Sequence, residues 1–143
     1  LHSNGYTPVD VDKKMVPYII NEKTGRVRAQ FHNQMIRPAR FEECRSNLDE
    51  LIRVLSEKSV RVILVESPVY KTYAKFCDTA ILANNHKLAT KMAGMYNCVF
   101  KSYFSDKRFE LTDFSDNDHL NPEGAKKFAT ILKEDFFRDV KLK

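Results

Sequence analysis

The sequence predicts an α/β domain built on a parallel sheet, and three observations carry that prediction. Arg40 to about Glu57 is an amphipathic run of helical period, Val60 to Val65 is a continuous β-branched stretch directly after it, and Asn121 opens a second amphipathic run close to the end of the chain. A strand that is apolar on both faces needs helices on both sides. Helices inserted between strands carry the chain back to the start of the sheet, so the strands run parallel.

Taken in order, Leu1 to Lys14 shows no periodicity and reads as loop. Val16 to Phe31 has two extended-looking runs around Asn-Glu-Lys-Thr-Gly, a hairpin in which Gly25 would take the positive φ of the turn. Residues 1–40 are therefore expected to be irregular or hairpin, and 41–143 to form the α/β core of a single domain. Arg37-Pro38 breaks the chain. From there Phe41, Cys44, Leu48, Leu51, Ile52 and Leu55 recur at helical spacing with charges between them. The strand at Val60 to Val65 is closed by Pro68. Lys71 to Tyr96 is helical, with Ile81, Leu88, Met92 and Met95 on one stripe and a break expected at Asn84-Asn85. Asn97 to Phe104 reads as a second strand. In the last helix Asn121 is the cap, Pro122 the first helical position, and Ala125, Phe128, Ala129, Leu132 and Phe136 the inner face.

The chain's 143 residues suffice for one core. Apolar residues at 43% and charged residues at 30% describe a globular protein, and no apolar run reaches the length of a membrane span. The net charge of +5 raises a nucleic-acid reading, but the basic residues are scattered among acids without interleaved aromatics, so no nucleic-acid partner is expected. Cys44, Cys77 and Cys98 are widely spaced within apolar patterns. They read as buried free thiols, with Cys77 as a nucleophile ranked behind. The chain begins with Leu rather than Met, so residue 1 is not expected to be the natural start.

The chemistry concentrates in "DFSDNDHLNPEGAKKF", Asp113 to Phe128. Asp116 and His119 are three residues apart, so one turn of chain brings the carboxylate to Nδ1–H of the imidazole. That contact selects the tautomer and leaves Nε2 toward a cleft, as a general base requires. The loop leaves the second strand and enters the last helix, at the carboxyl end of the sheet where open α/β folds place their sites. A metal reading of Asp113, Asp116, Asp118 and His119 is set aside, because the spacing lacks both the glycine turn of a calcium loop and a second histidine.

"DNDHLNPEGAKKF" resembles the last block of the SGNH (Gly-Asp-Ser-Leu) hydrolase superfamily, and "VRVILVESPVY" is similar to an earlier strand of that fold. The resemblance implies a three-layer α/β/α flavodoxin-like sheet, incomplete here on its N-terminal side. It further implies Asp116 as orienter and His119 as base toward a serine, acting without a cofactor on esters or acylated carbohydrates. No Gly-Asp-Ser-like turn occurs. Ser3 has no strand before it, and Ser67 is followed by Pro68 and reads as a turn former. The chain is thus expected to be the C-terminal part of a hydrolase or acyltransferase and nearly inactive alone. The alternative is a noncatalytic relative binding a glycan or a protein through Tyr70, Tyr73 and Tyr103. An apolar strand edge beside Val60 to Val65 would pair with a second copy or a missing N-terminal segment.

Overall fold

The computed structural model of the chain describes residues 18–138. Its elements run α1 (Glu22–Met35), α2 (Pro38–Glu57), β1 (Ile63–Glu66), α3 (Lys71–Ala74), α4 (Thr79–Met95), β2 (Val99–Ser102), a 3-10 turn (Leu111–Asp113) and α5 (Pro122–Phe136). The described residues form a mixed α/β structure of five α-helices and a two-stranded parallel sheet. No helix among them is long and apolar enough to cross a membrane.

The expected hairpin is a helix. Asn21 Oδ1 accepts from the Thr24 backbone N–H at 3.0 Å, and Thr24 Oγ1 accepts from the Asn21 N–H at 3.0 Å, a reciprocal cap that starts α1. Gly25 serves close approach rather than a turn, since a Cβ there would lie 2.2 Å from the Thr72 carbonyl oxygen. The Leu1 to Lys14 loop and the start of the expected hairpin lie outside the described residues. In α2, Pro38 occupies the first turn and Arg37 before it is extended. The helix ends with Ser59 at φ 58°, its N–H on Ser56 O and the N–H of Val60 on Leu55 O, a paired closure that glycine usually makes.

The strands pair in register from Ile63 with Val99 to Glu66 with Ser102. The expected strands are longer than those formed, because the ends of α2 and α4 take up their first residues: the Val60 N–H bonds to Leu55 O, and Asn97 sits at φ 52° with the Cys98 N–H on Ala93 O. The helix break falls after α3, not at Asn84-Asn85. Asp78 restarts the chain as the cap of α4, accepting from Ala80 N at 2.8 Å and Ile81 N at 3.1 Å. The two asparagines sit exposed inside α4.

Successive residues of a strand face opposite sides. Phe100 meets His86 of α4 at a ring separation of 5.7 Å, while Lys101 meets Asp135 of α5 at 2.8 Å. These two helices therefore lie on opposite sides of β2. Beneath α5, Tyr103 (1% exposed), Phe114 and Ile131 are buried, with Phe109 and Phe128 stacked edge to face among them. Ile52, Met92 and Ala93 are buried on the α4 side.

The inner face of α5 is rotated from its expected position. Of the expected residues Phe128, Leu132 and Phe136 are half-buried and Ala125 and Ala129 face outward, while Gly124 and Ile131 are the buried ones. Contact of Gly124 with the Asp113 backbone sets that rotation, since a Cβ at Gly124 would lie 2.0 Å from the Asp113 carbonyl oxygen. The cysteines also differ from expectation. Cys44 is exposed and Cys77 and Cys98 are half-buried, all three free. Val65 and Val99, on the α5 side of the sheet, stay 41% exposed each, so the sheet is only partly covered there.

Candidate active site

The loop that carries Asp116 and His119 is closed on itself. Phe114 and Leu120 form an antiparallel bridge, Ser115 N–H donates to His119 O at 2.9 Å, and Asn121 N–H to Asp113 O at 2.9 Å. Asn121 also caps α5 through Gly124 N at 2.9 Å and donates its amide to Thr112 O at 2.7 Å. The start of the helix thus holds both ends of the loop.

Within that frame one carboxylate takes three bonds. Asp116 Oδ1 accepts from the backbone N–H groups of Asp118 at 2.9 Å and His119 at 2.8 Å, and Oδ2 lies 2.8 Å from His119 Nδ1. Burial pushes the Asp116 carboxyl up, but the imidazole and the two N–H donors outweigh it and hold the group below its ordinary value. The His119 side chain is 60% exposed, and its Nε2 has no partner among the described residues. The ring is oriented on one side and open on the other. The loop also sits where the sequence places it: Tyr70 N–H donates to Asn117 O at 3.0 Å, just past the carboxyl end of β1.

What the sequence reading missed comes from α1 and α3. Asn117 is fully buried, and its amide donates to Thr72 Oγ1 at 2.6 Å and reaches Asn21 O at 3.4 Å. It pins the loop to the start of α1 and to α3. Asp118, with 9% of its side chain exposed, accepts from Arg28 Nε at 2.8 Å through Oδ1. Its Oδ2 lies 3.9 Å from His119 Nδ1 and 3.8 Å from His32 Nδ1. His32 Nδ1 in turn contacts the Tyr73 hydroxyl at 2.8 Å. Arg28 and His32 are four apart on α1 and so share a helix face, but reading that segment as extended concealed the spacing.

Other sequence candidates lie elsewhere. Asp113 Oδ2 accepts from Glu110 N–H at 2.8 Å and Lys127 Nζ at 2.7 Å, so this side chain fastens the 3-10 turn to α5. Ser67 is exposed, and no serine hydroxyl among the described residues bonds to His119. Ser102 Oγ donates to Glu66 Oε2, which also meets His86 Nε2 at 2.6 Å. Serine and imidazole there share one oxygen and do not bond to each other, so the cluster ties β1, β2 and α4 together without forming a relay. Burial pushes the Cys77 thiol up, which makes it a poor nucleophile. Tyr103 is buried and Tyr70 and Tyr73 half-buried, so Tyr103 offers no face to a glycan.

Asp116, Asp118 and His119 each bring one ligand atom within 4.8 Å of the others. Asp116 and His119 are joined through Oδ2 and Nδ1 at 2.8 Å, whereas the Asp118 carboxylate stands 3.9 Å from that nitrogen and is bonded to Arg28. No protein-family model matches the chain, and no curated protein or solved structure matches it either.

Proposed function

We propose that this chain is the base-carrying, C-terminal part of a serine ester hydrolase or acyltransferase of SGNH type, acting on esters such as O-acetylated carbohydrates. The observation that carries the proposal is the 2.8 Å contact of Asp116 Oδ2 with Nδ1 of an imidazole whose other nitrogen is open. Supporting it are the helices on both sides of a parallel sheet, as a three-layer flavodoxin-like domain has, and the loop's place at the carboxyl end of β1.

In this reading a serine from outside the described residues lies against His119 Nε2. As its oxygen bonds to the ester carbonyl carbon, its proton passes to Nε2, and Asp116 stabilises the imidazolium that forms. The tetrahedral intermediate then expels the alcohol, which takes the proton from Nε2, leaving an acyl-serine. Water, or the hydroxyl of an acceptor sugar, releases the acyl group by the same steps in reverse.

The test uses the protein as encoded, with whatever the gene places before Leu1, assayed on short-chain and acetylated-sugar esters beside His119→Ala. A kcat loss of about 10³-fold or more is expected. Equal rates for the two proteins would end the catalytic reading.

A further inference from the structure

His119 has two carboxylates within reach of the same nitrogen, and only one of them is bonded. Asp116 Oδ2 is at 2.8 Å from Nδ1 and Asp118 Oδ2 at 3.9 Å. An Nδ1–H serves one acceptor well, so something must keep the second away. The groups facing Asp118 are Arg28 and His32 from α1, Tyr73 from α3, Cys77 from the segment after it, and Asp116 and His119 from its own loop. Only Arg28 makes a short contact with its carboxylate among the described residues, through Nε–H to Oδ1 at 2.8 Å. The Tyr73 hydroxyl lies 2.8 Å from His32 Nδ1, closer than the 3.8 Å between that nitrogen and Asp118 Oδ2.

We infer that Arg28 is a positioning residue for His119: its guanidinium holds the Asp118 carboxylate so that Nδ1–H of the imidazole is committed to Asp116 alone. The second torsion of an aspartate is soft, and the Nε–H contact is what pins it here. Released from Arg28, a carboxylate with 9% of its side chain exposed cannot stay without a donor. The nearest side-chain nitrogens are His32 Nδ1 at 3.8 Å, which already faces the Tyr73 hydroxyl, and His119 Nδ1–H at 3.9 Å. Capture of the His119 donor by Asp118 would swing the ring off Asp116 and move Nε2 away from the direction the loop now sets.

Calling His119 a base rests on the function proposed above, but the geometry does not, and the experiment separates the two. Arg28→Lys keeps the positive charge near Asp116 and loses the fixed Nε–H. The Asp116 carboxyl is followed by ¹³C titration in wild type, Arg28→Lys, Asp118→Asn and the double variant. The Asp116 midpoint is expected to rise in Arg28→Lys as its imidazole partner is drawn away. Asp118→Asn should then lower it by more in the Arg28→Lys background than in wild type, a coupling that charge alone does not produce. An unmoved midpoint in Arg28→Lys, or equal displacements by Asp118→Asn in both backgrounds, overturns the positioning role. In the active enzyme, Arg28→Lys should lower kcat by about tenfold or more with KM unchanged, and Asp118→Asn should restore it. Coupled titrations in a protein that hydrolyses no ester would reject the proposed function and leave the role of Arg28 standing.

Discussion

Replacing Gly124 with alanine tests the contact that seats α5 on the candidate site. The added Cβ would fall 2.0 Å from the Asp113 carbonyl oxygen, against an ordinary carbon–oxygen contact of about 3.3 Å. The obstacle is backbone on one side and a helix on the other, so no side chain can swing aside. Either α5 or the 3-10 turn must move by about 1 Å, and the 2.9 Å bond from Asn121 N–H to the same oxygen opens with it. Overpacking of this kind costs about 1–3 kcal/mol and the lost bond about 1 kcal/mol more, giving about 2–4 kcal/mol. The assay is urea unfolding, with Gly94→Ala as the companion. Gly94 lies near the end of α4 with nothing within 4 Å of a built Cβ, so alanine there should stabilise by up to about 1 kcal/mol. A Gly124→Ala protein as stable as wild type would refute the reasoning, because it would mean that α5 does not bear on Asp113.

Asp113 shows a second measurable effect. Burial raises its carboxyl, but the Glu110 N–H and Lys127 outweigh that and hold it below the ordinary carboxylate range, as Asp116 is also held. The unfolded chain therefore binds protons that the folded one does not. The stability these groups contribute is whole above about pH 4 and is lost as pH falls through their lower folded values. Urea midpoints measured down the acid range should fall less steeply in Asp113→Asn, from a lower starting value at pH 7. At the end of α2, Ser59→Gly should raise stability by up to about 1 kcal/mol in thermal unfolding, since glycine accepts φ 58° without strain. Tyr103→Phe should lower it by about 1–3 kcal/mol in urea, because the buried hydroxyl donates to Asp135 Oδ2 at 2.8 Å.

How much of this was legible depends on the range of the interaction. The stripe of α2 and the Asn121-Pro122 start of α5 are written in spacings of a few residues, and both helices form where those spacings place them. Asn-Glu-Lys-Thr-Gly was ambiguous for a physical reason. A glycine after polar residues suits a hairpin, and it equally suits a helix that must touch a neighbour closely. Thr72 is that neighbour, 47 positions along the chain, so nothing near Gly25 could decide between them. The inner face of α5 was misjudged in the same way. Its apolar residues define a broad stripe, and only the seat of Gly124 on Asp113 selects which edge of that stripe is covered.

By itself the sequence determined the pairing of Asp116 with His119, because a carboxylate and an imidazole three residues apart are brought together by the stiffness of one short turn. It also determined the cap that anchors their loop and the alternation of helix and strand. Only the tertiary structure decided what surrounds that pair. Arg28 reaches Asp118 across 90 residues and His32 reaches Tyr73 across 41. Contacts of that span exist only after helices have packed, since packing alone converts distance along a chain into adjacency in space.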